Sequence, residues 1–358
     1  MKKYILCLLG FITAMFIGVS TAYGTTNLSE MSYEKNLPHS PPDPGVYFQP
    51  EIYGKQNFRL PLYNHCDFRR DDAVDIVFTY NMSHPKLKEL RKKYDLDTIT
   101  GNGNTFEKTL RLMNWVNKNV AHSSNKPPDF EKENSLVLLD YAYQKRGVNC
   151  LLQSIIFSES CLAMGIKAKP FWLMPQSPQD QEGHTVVIAY IPELKNWIML
   201  DATANTYFTD KKNNALAPWE IRKKLLRNEP LEIIINNKEK IDSMTKEELE
   251  KKKALRKEYI AKNCFYFYTL EKSTFGRENC GKQIYSCPKG FDMTEHNLKA
   301  LYSQNETMMK YYELPDTTNE MRSMIKKALL TDKDIKKREK KIRNNKYIYA
   351  TFESFWRE

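Results

Sequence analysis

Cys150, His184 and Asp201 are a thiol, an imidazole and a carboxylate in the order that nucleophilic acyl chemistry can use. A thiol attacks as its thiolate, so a nucleophilic cysteine needs a helix N-terminus, a neighbouring imidazolium or both to lower its pKa. Cys150 meets the first condition: Leu152, Ile155, Ile156, Leu162 and Ala163 recur at helical intervals from Cys150 to Met164, and Gly165 closes the run. His184 opens the run Thr185 to Tyr190, apolar enough for a sheet interior, where a polar ring needs a task. Asp201 closes the next β-like run, Asn196 to Ala202. If Pro192 and Glu193 are the whole turn, His184 faces Asp201; if the turn is two residues longer, His184 faces Thr203 and Asp201 is a diagonal neighbour. Both registers keep the β-carbons within about 5 to 8 Å. An aspartate so placed accepts from one imidazole nitrogen and leaves the other for the thiol.

Taken singly, each residue has a plainer explanation: half a disulfide, a satisfied strand histidine, a turn cap. Together, the segments Gly147-Val148-Asn149-Cys150, Met164 to Lys169, Gly183-His184-Thr185-Val186-Val187 and Trp197 to Thr203 resemble the core of the transglutaminase-like superfamily, in that family's order and spacing. The resemblance spans roughly residues 105 to 235, from the helix with Trp115 to the segment Leu216 to Leu226. Two departures are Leu151-Leu152 after the cysteine and Ala202 after the aspartate. The resemblance implies an α+β, papain-like fold, a nucleophile helix packed on an antiparallel sheet, with Cys150 as nucleophile, His184 as base and Asp201 as orienting carboxylate. It also implies attack on an amide through a thioacyl intermediate, resolved by water in a protease or amidase or by an amine in a transglutaminase. Hydrolysis is the favoured outcome, and a non-catalytic binding module of the cell envelope is the reading from another class. No cofactor or metal is expected.

An oxyanion donor is also required, and the Cys150 amide at the helix start is the default. Gln144 precedes the cysteine at the spacing of the papain-like oxyanion glutamine, though on the preceding helix. Trp172 and Trp197 are candidates for lining the acyl pocket, although at strand positions both suit a core.

Other elements position these residues. Asn104 and Glu107 form a capping-box pattern ahead of a helix over 104 to 120. A second helix runs from Ser135 to about Lys145, with Gly147 where a helix can end. Strands follow at Ala168 to Met174, His184 to Ile191 and Asn196 to Ala202, then a helix at Pro218 to Leu226 and an apolar run Leu231 to Ile235. An earlier strand is expected at Val74 to Tyr80. Beyond about 236 the composition turns to lysine, with a charged helix at 245 to 261, strands at Cys264 to Leu270 and Lys282 to Cys287, and a basic helical tail at 317 to 346. Pairing those two strands puts Cys264 opposite Cys287, which predicts a disulfide; Cys280 then stays free or pairs with Cys66. A zinc site from Cys264, Cys280, Cys287 and His296 has irregular spacing against it. Cys161 reads as a small buried hydrophobe.

The chain opens with Lys2 and Lys3, a mostly apolar stretch Tyr4 to Val19 and small residues to Gly24, the pattern of an export signal at 1–24. A Pro-rich extension at 25–100, the core at 101–236 and a basic extension at 237–358 complete the division. Removing the signal takes the formal charge from +11 to +9 by the loss of Lys2 and Lys3. In an extracytoplasmic protein, periplasmic or secreted, that charge suggests attraction to anionic envelope polymer or membrane surfaces rather than to nucleic acid, with solvated lysine faces as the plainer reading, while the resemblance implies a peptide or protein substrate. Phe352, Phe355 and Trp356 read as an apolar anchor docking the tail.

Overall fold

In chain order the helices are α1 (Pro85–Lys93), α2 (Leu96–Thr100), α3 (Thr105–Asn119), α4 (Ser135–Ala142), α5 (Cys150–Ala163), α6 (Pro218–Arg227), α7 (Lys238–Asp242), α8 (Lys246–Asn263), α9 (Met293–Glu313), α10 (Asn319–Ala328), α11 (Asp332–Asn344) and α12 (Phe352–Trp356). The strands are β1 (Thr79–Tyr80), β2 (Ala168–Met174), β3 (His184–Ile191), β4 (Asn196–Asp201), β5 (Thr206–Thr209), β6 (Glu232–Ile235), β7 (Tyr266–Leu270), β8 (Lys272–Ser273), β9 (Gln283–Ser286) and β10 (Ile348–Tyr349). The structure is a computed structural model that describes residues 67–123, 130, 132–144, 146–180, 183–313 and 319–357. The expected signal, most of the Pro-rich extension and Cys66 lie outside the described residues.

Local sequence explains the central elements. The Asn104 side chain accepts from the Glu107 N–H at 2.9 Å and Glu107 reaches back to the Asn104 N–H at 3.2 Å, the reciprocal cap that starts α3. Asn149 starts α5 by accepting from the Leu152 N–H at 3.1 Å. From Leu152 to Ala163 every residue of α5 is buried, because it is enclosed by α1, α3 and α4 on one side and by β2 and β3 on the other. Gly165, at φ 76°, ends the segment in the left-handed region expected of it. Gly147 has a different task from the expected helix end. The helix stops at Ala142, and a Cβ at 147 would lie 2.5 Å from that of Ser123, where the chain before Cys150 bridges His122 through Val148.

The architecture is α+β and papain-like, with the helix that starts at Cys150 packed on a largely antiparallel sheet. The eight strands run in the order β10-β9-β7-β2-β3-β4-β5-β6. Alternation divides the sheet into two faces. Val187, Ala189, Ile198 and Leu200 join α5 in one core, while Val186, Ile188, Met199 and Phe171 join Tyr259, Ile260 and Phe355 in the other. The Pro192–Leu194 helical turn ends at Lys195, so Ile191 pairs with Asn196 and Val187 with Leu200. Of the two registers open in the sequence this is the longer-turn one, which carried back puts His184 level with Thr203.

Past residue 236 the sheet continues: β7 adds to the free edge of β2 and β9 adds to β7. The C-terminal segment therefore completes the sheet that holds the site. Its pairing corrects the expected disulfide. Phe267 lies opposite Ser286, a register two residues away from the one that would align the cysteines, so Cys287 falls level with Tyr266. Cys264 and Cys287 are free, buried thiols, as is Cys161. The expected strand at Val74 to Tyr80 is reduced to Thr79–Tyr80 pairing β8, plus a lone bridge from Val74 to Ala350. The long helix α9 went unpredicted, since its apolar positions are interspersed with Gln, Asn and Lys.

A buried carboxylate ties core and C-terminal segment together. Glu159 on α5 accepts from the Ser135 N–H at 2.8 Å, from the Ser135 hydroxyl and from the Gly276 N–H at 2.9 Å. Burial outweighs these bonds and raises its pKa to about 7. A carboxyl whose folded pKa exceeds its unfolded one holds extra protons in the folded state, so stability falls as pH rises from about 4.5 to 7. The loss is about 3 kcal/mol from that shift. In Glu159→Gln, urea titrations at pH 5 and pH 8 should differ by less than in the wild type, with the variant the more stable at pH 8; an unchanged difference would assign the slope to other groups.

Candidate active site

Cys150 sits at the first turn of α5, partly exposed, where the backbone amides have no intrahelical acceptor. Its thiol hydrogen-bonds to the His184 ring and to the backbone and hydroxyl of Thr185. Burial pushes the thiol up, but the His184 contact and the Thr185 bonds more than offset it, and the net direction is downward. His184, the first residue of β3, is buried at 3% exposure, and Asp201, the last of β4, at 0%. The Nε2 atom of His184 lies 3.0 Å from Oδ2 of Asp201. That contact leaves Nδ1 for the thiol. Oδ1 of Asp201 accepts from the Ala204 N–H at 3.2 Å, which fixes the carboxylate plane. The two strand ends and the helix start thus bring the three predicted residues into one cluster, Cys150 from one face of the sheet and the other two from the opposite face.

The remaining predicted site residues separate. Gln144 is exposed in the turn after α4, with no hydrogen bond to Cys150 among the described residues, so it is not placed as an oxyanion donor. The reason is the chain between: residues 146–149 run extended beside His122–Ser123 rather than continuing a helix. The Cys150 N–H remains the donor that the fold provides. Trp172 lies level with Thr185 on β2, stacks on Tyr268 at 4.7 Å and packs beside Leu151, next to the nucleophile. Trp197 stands four residues before Asp201, roughly 13 Å along an extended strand. There it packs against Tyr80 and Tyr190, donates from Nε1 to the Arg357 carbonyl at 3.2 Å, and lies 5.1 Å from the buried Lys169 amine. It is a core residue away from the thiol.

Several groups at the site were not singled out in the sequence. Arg256 on α8 reaches the cluster: its Nη2 lies 2.8 Å from Nε2 of His184 and forms an ion pair with Oδ2 of Asp201. Tyr259, one turn on, meets the His184 ring edge-to-face at 5.4 Å. Lys262, a further turn on, is buried and held by Asp180 at 2.7 and 2.9 Å. Burial pushes the His184 pKa down, Arg256 and Lys262 add to that, and Cys150 opposes it. His122 is also close enough to feel His184 and Arg256; burial first, then those two charges, take it down to about 3. The available signal was the spacing of Arg256, Tyr259 and Lys262 by three, which aligns them on one helix face.

The arrangement can take a proton from a thiol, hold the imidazole in one orientation and present a helix-start amide to a developing oxyanion. Residues 92–202 match the family model of the transglutaminase-like superfamily. Among solved structures, the chain is similar to a candidate cysteine protease from Cytophaga hutchinsonii, at 20% identity and a TM-score of 0.26. That match covers 42% of this chain and 44% of that one, so the chain spans less than half of the neighbour's length. No curated protein matches. The segment that contains Cys150, His184 and Asp201 is thus similar to the transglutaminase-like superfamily.

Proposed function

We propose that the protein is an exported cysteine hydrolase that cleaves peptide amides through a thioacyl intermediate on Cys150. The observation that carries the reading is the chain of contacts from the helix-start thiol to His184 and on to the buried Asp201. In this reading the Cys150 thiolate adds to the amide carbonyl, the oxyanion is met by the Cys150 N–H, and His184 gives its proton to the leaving amine. Water, deprotonated by His184, then breaks the thioester and releases the acid. Asp201 keeps Nε2 engaged so that Nδ1 faces the sulfur. The substrate is a peptide or protein outside the cytoplasm, and the basic mature chain draws it from an anionic envelope.

The test is the pH dependence of iodoacetamide labelling at Cys150, located by peptide mapping, in the wild type and in His184→Ala. The expected midpoint in the wild type is below the roughly 8.5 of an ordinary thiol, and it rises towards that value without the imidazole. Equal midpoints near 8.5 would mean an inert thiol. Once an amide substrate is found, adding a primary amine separates the two fates of the thioester: unchanged acid product supports hydrolysis, and an amide product makes the enzyme a transferase.

A further inference from the structure

Arg256 belongs to α8, outside the segment that matches the superfamily, yet its guanidinium shares both partners of the His–Asp contact. An arginine N–H only donates. Nε2 of His184 can therefore donate to Asp201 or accept from Arg256, but not both at once. In a triad without such a neighbour, the imidazolium formed when the thiol gives up its proton is the counter-charge of the buried carboxylate. Here the guanidinium already supplies that charge. Moving the proton from Sγ to Nδ1 would place a second cation against the first inside a buried cluster.

We propose that Arg256 is a positioning residue that shares Asp201 with His184 and limits proton transfer from Cys150 to His184, so that the thiolate–imidazolium pair is present at rest but is the minor form. The proposal rests on the cysteine-enzyme reading above. Among the described residues, the groups facing the imidazole come from four elements: Cys150 from α5, Asp201 from β4, Arg256, Tyr259 and Lys262 from α8, and His122 from the segment that bridges Val148. Lys262 is already paired with Asp180, which leaves Arg256 as the cation in direct contact with Nε2. The direction of the His184 shift agrees, since Arg256 is the strongest influence on it after burial. The thiol lies across the ring from the guanidinium, so removing Arg256 acts first on the imidazole. Substrate that displaced the guanidinium from Asp201 would release the ion pair at the moment of binding.

The experiment is iodoacetamide labelling of Cys150 across pH in the wild type, Arg256→Gln, Arg256→Lys and the double variant His184→Ala/Arg256→Gln. Loss of the cation in Arg256→Gln should lower the midpoint by about one unit, a roughly tenfold faster reaction at pH 6. Arg256→Lys should stay near the wild type. The double variant should label like His184→Ala alone, because the effect passes through the ring. An unchanged or raised midpoint in Arg256→Gln overturns the proposal, and so does a fall that persists without His184. A purely structural arginine would lower thermal stability and leave the midpoint alone. Failure of the underlying reading looks different, since wild type and His184→Ala would then share a midpoint near 8.5. Should Arg256→Gln not fold, imidazole 15N shifts of the intact chain at pH 6 decide: a mainly neutral His184 ring supports the proposal and a mainly imidazolium one overturns it.

Discussion

Asp201→Asn is expected to lower amide turnover by about four orders of magnitude while Cys150 remains present and reachable. The carboxylate accepts from Nε2 at 3.0 Å and keeps the lone pair of Nδ1 on the side of the thiol. An asparagine amide can instead donate to Nε2, which moves the ring proton to Nδ1 and removes the base. The neighbouring Arg256 reinforces this outcome, since it too only donates and loses the Asp201 carboxylate. Single-turnover kinetics on any peptide amide that the wild type cleaves are the measurement. A loss of less than tenfold, with the fold intact by circular dichroism, would remove Asp201 from the mechanism.

Phe355→Ala is expected to cost about 3 to 5 kcal/mol of unfolding free energy. Phe355 is fully buried although it stands three residues from the chain end, and its ring lies 5.3 Å from Phe78 and 6.0 Å from Phe171 on β2. The site of the lost ring is walled by strand residues and by Trp356, none of which can move in to fill it. Guanidinium denaturation of the full chain measures the effect. A cost under about 1 kcal/mol would make the tail a separable arm rather than part of the second core.

Most of the central fold was legible because its signals are local. The α3 cap, the start of α5 at Cys150, the three strands of the meander and the turn at Pro192 each follow from residues within a few positions of one another. Asn149 and Gly165 bracket α5 through capping chemistry that does not depend on the rest of the chain. The meander could be counted because short turns leave few registers open. The tail aromatics were readable as an anchor for the same reason: three large rings beside a lysine-rich stretch have few other uses.

The misjudged pairings failed where a non-local choice intervened. Cys264 and Cys287 looked aligned only while the β7–β9 loop had an assumed length, and two residues of register moved Cys287 beside Tyr266. Gln144 had the right spacing from Cys150, but the chain between them runs extended against His122, and spacing along a chain is not distance in space. Trp197 shares a strand with Asp201 and belongs to its far end, among the rings around Lys169.

By itself, the sequence determined the types and order of the reactive groups, the helix that starts at Cys150 and the strands that begin at His184 and end at Asp201. Only the tertiary structure decided that Arg256 enters that cluster. Helix α8 shows a polar inner face of Arg256, Tyr259, Lys262 and Asn263 around Ile260, so no apolar stripe announced which side was buried. Its place follows from β7, which directly follows α8 and adds to the edge of β2, setting the helix over the strands of His184 and Asp201. Strand order is a long-range choice made by the whole sheet, because an apolar strand such as β2 has two edges to fill and nothing local says which later segment will fill them.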